Sequence, residues 1–247
     1  MAPAISAAAV AIITAVIGFG SFAVFGVFLW QGGLDLVDLG LGRHSALAWG
    51  AALCLVFFLQ HSGMVRKSFR RRLVRFVPVH YHGVLYTIAS GAALLLLSLG
   101  WQATNVNVLV LAGPVRWLPR ALVLGCVAGI VWGFRALGNF DAFGISALLT
   151  HSHGELPRPA QLAIRGPYCR VRHPFYFFSI VLIWATPVLS LDRLLFNVLF
   201  TVWIAIGARW EERDLVAELG DAYRAYQGRV PMLFPWPLRL RASRTAA

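Results

Sequence analysis

Six long apolar runs divide the chain, at about 7–30, 46–63, 83–101, 118–138, 174–190 and 193–209. A helix needs ~20 residues, within a range of ~17–25, to cross a bilayer. Each run therefore predicts a spanning helix, the last two at the short end of that range. Only Leu191 and Asp192 separate those two, so a tight helical hairpin is expected, with Pro187 and Asp192 helping to end its first arm. The stretch 104–113 is apolar but too short to span, and is expected to lie at the interface or to re-enter. The first run lacks a basic leader and is too long for a signal segment, so it reads as a retained helix. The fold class is thus all-α: an integral membrane bundle of about six helices forming a single membrane domain. Residues 1–138 carry helices one to four. Residues 139–247 carry a long polar loop, helices five and six, and the tail. The tail is expected to break at Gly220, form a short amphipathic helix, stop at Arg229-Val230-Pro231 and anchor at the interface through Phe234 and Trp236.

Composition agrees with the pattern. The chain is 59% apolar, with a mean hydropathy of +0.70, against about 45–50% apolar for a soluble protein. The net charge of +12 excludes less than its size suggests. A nucleic-acid binder gathers its charge on one face of a soluble domain, whereas here the arginines fall in short loops between apolar runs. No nucleic-acid partner is expected; the partner is the lipid bilayer. With the N-terminus inside, loops 64–80, 139–173 and 209–247 hold 17 of the 22 basic residues. That positive-inside bias fits six crossings and places both termini in the cytoplasm of a bacterial inner membrane. Cys54, Cys126 and Cys169 have no metal-ligand or CxxC spacing.

Two polar islands interrupt this scaffold. The first, Arg165 to Tyr176, packs three arginines, a histidine and two tyrosines into twelve residues, and His173-Pro174 opens helix five. A helix N-terminus presents free N–H groups and a partial positive charge, suited to a carboxylate or phosphate. The second island, Arg209 to Asp214, closes helix six with Glu211 and Glu212. Arg209 and Glu212 are three apart, so they share a face and can pair, leaving Glu211 on another face for another partner. Acidic groups beside a bilayer need a cationic partner or a wet cavity. The two islands are expected to meet at the membrane surface as one site for a charged cofactor. The other histidines are weaker signals. His151 and His153, with only Asp141 and Glu155 nearby, make a poor metal site, and no metal is expected. His80 and His82 read as interfacial. His61, beside Gln60, is either interfacial or near a substrate.

The pattern Gly166-Pro-Tyr168-x-x-Val-Arg172-His173-Pro174-x-Tyr176, then Arg209-x-Glu211-Glu212, then Gly220-Asp-Ala-Tyr223-Arg-Ala-Tyr226-x-x-Arg229-Val-Pro231, resembles the isoprenylcysteine carboxyl methyltransferase superfamily of integral membrane methyltransferases. Gln60-His61-Ser62-x-Met64-Val65-Arg66 and Arg75-Phe76-Val77-Pro78 resemble its methanethiol S-methyltransferase and NnrU-like branch. The resemblance implies S-adenosylmethionine as cofactor. It implies Gly166, Tyr168, Arg172, His173, Pro174, Tyr176, Glu211 and Glu212 as cofactor-binding, and Arg209, Glu212 and His61 as catalytic. The cofactor carries a carboxylate, an ammonium and a sulfonium. The arginines and the helix-five N-terminus suit the first, Glu211 or Glu212 the second, and Tyr168, Phe175, Tyr176 and Trp210 the third. One departure bears on the acceptor: the stretch Asn139 to Gly144 is shorter than that of the branch and loses a histidine and a glutamate. The expected activity is transfer of a methyl group to a small or lipophilic thiol, of the methanethiol type. The rivals are isoprenylcysteine-type carboxyl O-methylation and a non-enzymatic NnrU-like membrane protein. A transporter would want polar groups at mid-membrane depth, which the six runs lack.

Overall fold

The computed structural model describes residues 6–138, 141–152, 154 and 163–235. Expectations for Asn139, His153, Glu155 and the Trp236 anchor fall outside them. The described helices are α1 (Ala7–Gln31), α2 (Arg43–Val65), α3 (Lys67–Leu73), α4 (His82–Gly100), α5 (Trp117–Leu137), α6 (Ile145–Ser152), α7 (Pro174–Trp184), α8 (Leu191–Leu219) and α9 (Asp221–Arg229). Five of them, α1, α2, α4, α5 and α8, are long and apolar enough to cross a bilayer. Ile12, Phe19, Leu59 and Leu118 lie on them with more than half of their surface exposed. On a soluble protein such residues would form sticky patches; on an integral membrane protein, which this chain is, they face lipid.

The fifth run departs from expectation. It is not a spanning helix: α7 stops at Trp184, and Val188–Ser190 form a strand, β2. The apolar stretch around 104–113 supplies the partner. Its residues Asn107–Val110 form β1, antiparallel to β2. The break has two causes. Pro187 has no N–H to continue a helix, and an extended backbone in an apolar setting must find partners for its polar groups. Leu111 N–H donates to the Pro187 carbonyl at 2.8 Å, and Leu191 N–H to the Val106 carbonyl at 2.8 Å. Lengths explain why the break is tolerated. From Leu191 to Glu212 α8 rises about 33 Å. The eleven residues of α7 rise about 16 Å, and the six after them reach about 20 Å when extended. The short helix and its strand therefore match the long arm beside them, and the islands at 172–176 and 211–212 end up level.

A core of Phe28, Leu53, Phe57, Phe58, Leu97, Trp101, Phe196 and Phe200 joins α1, α2, α4 and α8. At one end of it Asp192 is buried and satisfied. It accepts from Trp101 Nε1 at 2.9 Å and from the Thr104 amide and hydroxyl at 3.0 and 2.7 Å. On the other side α5 receives α7 through glycines: a Cβ on Gly129 would stand 2.4 Å from the Phe178 ring. Gly129→Ala is expected to lower stability by about 1–3 kcal/mol through overpacking. Gly125→Ala, on the same helix with nothing within 4 Å, should be neutral or slightly stabilising. Thermal midpoints of the two variants in detergent make the comparison, and equal midpoints would refute this packing.

Candidate functional site

The two islands come together through Glu212. Residue 212 lies one turn beyond the apolar part of α8, which ends at Ala208, and its side chain is only 10% exposed. Arg172 grips it with both arms: Nε donates to Oε1 and Nη2 to Oε2, each at 2.7 Å. Tyr223 of α9 donates to Oε1 at 2.9 Å and Gln227 to Oε2 at 2.6 Å. His173 Nε2 lies 3.0 Å from Oε1. A carboxylate only accepts, so Nε2 carries the proton. The remaining Arg172 nitrogen, Nη1, donates to the carbonyls of Gln227 and Val230. The backbone closes the arrangement, since the Arg172 and His173 amides donate to the Pro231 and Met232 carbonyls at 2.9 and 3.1 Å. Glu212 thereby ties the start of α7 to α8 and to Tyr223 and Gln227 of α9, while Arg172 and His173 hold the segment after α9.

Burial would raise the Glu212 carboxyl, but hydrogen bonds from Arg172, Gln227 and Tyr223 outweigh it and hold the group down, at about 2. Burial and the bond to this carboxylate push the Tyr223 hydroxyl up, and burial pushes Tyr226 up to about 12. A carboxyl held below its ordinary value, 4.5, contributes stability that is complete above that value and is lost as pH falls toward 2. The thermal midpoint is expected to drop over that window. In Glu212→Gln the drop should be smaller; an unchanged acid profile would show that Glu212 is not the group responsible.

Glu211 is the contrasting neighbour. Its side chain is 46% exposed, and one oxygen accepts from the Tyr176 hydroxyl at 2.7 Å. His173 Nδ1 stands 3.7 Å away, beyond hydrogen-bond range. The His173 and Tyr176 rings stack, with centroids 5.3 Å apart and planes 11° apart. Pro174 is the first residue of α7 and is buried. Its fixed φ suits that position. Gly166 opens the preceding 3-10 turn at φ +59°, where a Cβ would meet Trp132 and Ala136 at 3.1 and 3.0 Å. Tyr168 follows, its carbonyl held by the Tyr226 hydroxyl at 2.6 Å. Burial, and secondarily the Glu211 charge, push the Tyr168 hydroxyl up.

Of the residues singled out from the sequence, Arg172, His173, Pro174, Tyr176, Glu211 and Glu212 form one cluster, with Gly166 and Tyr168 on its flank. Three expectations need correction. Glu212 pairs with Arg172 and not with Arg209, which is exposed and makes no ion pair among the described residues. Arg172 is committed to the protein itself through Nε, Nη1 and Nη2, so it is not a ready carboxylate clamp, whereas Arg165 gives its Nε to the Ala136 carbonyl. Trp210 lies under the Arg66 guanidinium at 3.9 Å, and Phe175 packs on α5 at Gly133. The Trp210 ring is thereby turned to Arg66, while Phe175 meets the Tyr168 ring edge-on at 6.4 Å. Two residues went unassigned in the sequence, Tyr223 and Gln227. Their i, i+4 spacing on an amphipathic helix was the available signal. His61 is apart from the cluster, on α2 against Tyr86 of α4. Among the described residues no group of three histidine, cysteine or acidic side chains is placed to hold a metal.

The chain is thus a polytopic membrane bundle with an acidic, aromatic site at one end of α7 and α8. The chain is 35% identical over 201 residues to methanethiol S-methyltransferase of a Pseudomonas species, covering 79% of this chain and 76% of the relative. It is 36% identical over 192 residues to methanethiol S-methyltransferase of Mycobacterium tuberculosis, covering 74% and 76%. Nurim of Rattus norvegicus is 28% identical over 187 residues, covering 69% and 68%. No family model and no solved structure matches the chain. Fold, site and relatives together define an integral membrane methyltransferase. The chain belongs to the methanethiol S-methyltransferase family.

Proposed function

We propose that this protein transfers a methyl group from S-adenosylmethionine to a small thiol, with methanethiol as the leading acceptor. One observation carries the reading. Glu211, with an oxygen left over, stands with Tyr176 and His173 beside the opening of α7. The donor set suits each charged part of the cofactor. Glu211 would take the ammonium. The α7 N-terminus would take the carboxylate through its partial positive charge. The faces of Tyr168 and Tyr176 would border the sulfonium, where cation–π contact contributes roughly 0.5–2 kcal/mol per ring. When bound, the cofactor supplies an electrophilic methyl group on sulfur.

The protein's own part is alignment and exclusion of water. Tyr176 is oriented by its bond to Glu211 and by the His173 ring. His173 is oriented by Glu212, and Glu212 by Arg172, Tyr223 and Gln227. Glu212 therefore acts as a positioning residue, since its oxygens already serve five donor groups. The cofactor half is residues 139–247, mounted on the scaffold of 1–138. The membrane is proposed to be a bacterial inner membrane, with the site and both termini on the cytoplasmic side, where the basic loops lie. The test is a labelled-methyl assay on detergent-purified protein with a panel of thiols and prenylcysteine analogues, each product identified by mass. Label in the thioether of methanethiol is expected. Label in a prenylcysteine methyl ester and none in any thioether would replace this reading with carboxyl methylation.

A further inference from the structure

A cavity of about 180 Å³ opens between α1, α2 and α4, roofed by Ala142 and Phe143. Sites for drug-sized ligands usually occupy ~300–1,000 Å³, so this one suits a small molecule and not a prenyl chain. Its walls are largely apolar, with Phe22, Phe57 and Leu94 among them. The roof lies just before Gly144, and Phe143 packs edge-on against Phe19 with ring centroids 4.7 Å apart.

Most of its polar groups are already occupied. Thr87 donates to the Phe143 carbonyl at 3.0 Å, Ser21 to the Gly18 carbonyl at 2.9 Å, and Ser90 accepts from Gln60 at 3.2 Å. His61 and Tyr86 are different. The Tyr86 hydroxyl lies 2.8 Å from Nε2 and 3.1 Å from Nδ1 of His61. It bonds one of them at a time, and the other nitrogen is left for a further partner. Phe57 and Trp203 hold the ring, with centroids 5.3 and 5.2 Å away. Trp203 lies on α8 eight residues before Glu211, about 12 Å along the helix. The cavity and the cluster at the α7 opening are therefore neighbours.

We infer that this cavity is the acceptor site for a small thiol, and that the His61–Tyr86 pair takes the thiol proton; the inference rests on the proposed methyl transfer. The balance is as follows. The thiol S–H bond breaks and its proton passes to a ring nitrogen of His61, directly or through the Tyr86 hydroxyl. The sulfur lone pair forms the new S–CH3 bond. The methyl–sulfur bond of the sulfonium donor breaks, and its electron pair stays on the donor sulfur, now a neutral thioether. His61 then returns the proton to water. His61 and Tyr86 touch the reacting thiol and are catalytic residues in this scheme; Phe143 and Phe22 limit acceptor size.

The test pairs Tyr86→Phe, which removes one oxygen, with His61→Gln. Rates are measured for thiols of graded acidity, from alkanethiols to acidic aryl thiols, beside S-adenosylmethionine affinity by calorimetry. Affinity should stay within twofold of the unsubstituted protein, which also reports folding. Rates with alkanethiols should fall at least a hundredfold, and the loss should shrink to tenfold or less for aryl thiols that are already ionised. Losses independent of thiol acidity in either variant that keeps cofactor affinity, or no loss, would overturn the proton role. If the unsubstituted protein binds cofactor but methylates no thiol, or binds no cofactor, the underlying reading fails and this one with it.

Discussion

Replacing Glu212 by glutamine is expected to be the most damaging single change in the cluster at the opening of α7, lowering stability by about 3–5 kcal/mol. The reason is the partner left behind. Arg172, 9% exposed, would keep its charge without a counter-charge, and a glutamine amide would turn a donor toward donors that now meet an oxygen. Arg172→Lys should fare almost as badly. An ammonium on a flexible stem cannot hold two carboxylate oxygens and two carbonyls at once, as the guanidinium fork does. Removing both partners together, as Arg172→Met with Glu212→Met, should therefore cost less than the sum of the single changes. Thermal midpoints of Arg172→Met, Glu212→Met and the double variant in detergent give the coupling. Losses that simply add would show that the pair is not a unit.

Glu211→Gln should behave in the opposite way. Its side chain is half exposed and among the described residues its one hydrogen bond is from the Tyr176 hydroxyl, so stability should change by no more than about 0.5 kcal/mol. Affinity for S-adenosylmethionine should fall at least tenfold, equivalent to about 1.4 kcal/mol, because the ammonium loses its counter-charge. S-adenosylhomocysteine carries the same ammonium and should lose affinity to the same extent, which calorimetry on both ligands would show. If Glu211→Gln bound both ligands as tightly as the unsubstituted protein, Glu211 would have no part in recognition. The contrast between adjacent carboxylates, one holding the fold and one free to bind, is the physical content of the site.

Much of this was legible in the sequence, and the failures have definite causes. Long apolar runs fixed α1, α2, α4, α5 and α8, because spanning length is a one-dimensional property. The run 174–190 misled for the same reason. Hydropathy cannot tell an eleven-residue helix plus a strand from one short helix, and the strand depends on a partner about eighty residues away. The convergence of His173 and Tyr176 with Glu211 and Glu212 followed from placing both islands at the same membrane face. The partner of Glu212 did not follow. Spacing along one helix favoured Arg209, whereas the real partner, Arg172, arrives from another element. Local periodicity sees neighbours on one surface and is blind to side chains delivered across a bundle. Tyr86 was hidden likewise: in an apolar run it reads as interior packing, and its bond to His61 exists only once α2 and α4 lie together.

Photoaffinity labelling with an azido derivative of S-adenosylmethionine, followed by mass spectrometry of the labelled peptides, puts the central placement to the most direct test. Label competed by unlabelled cofactor should fall on peptides containing Tyr168 to Tyr176 or Glu211 to Gln227. Competed label at the far end instead, around Trp101 to Thr104 or Val188 to Arg193, would contradict the account.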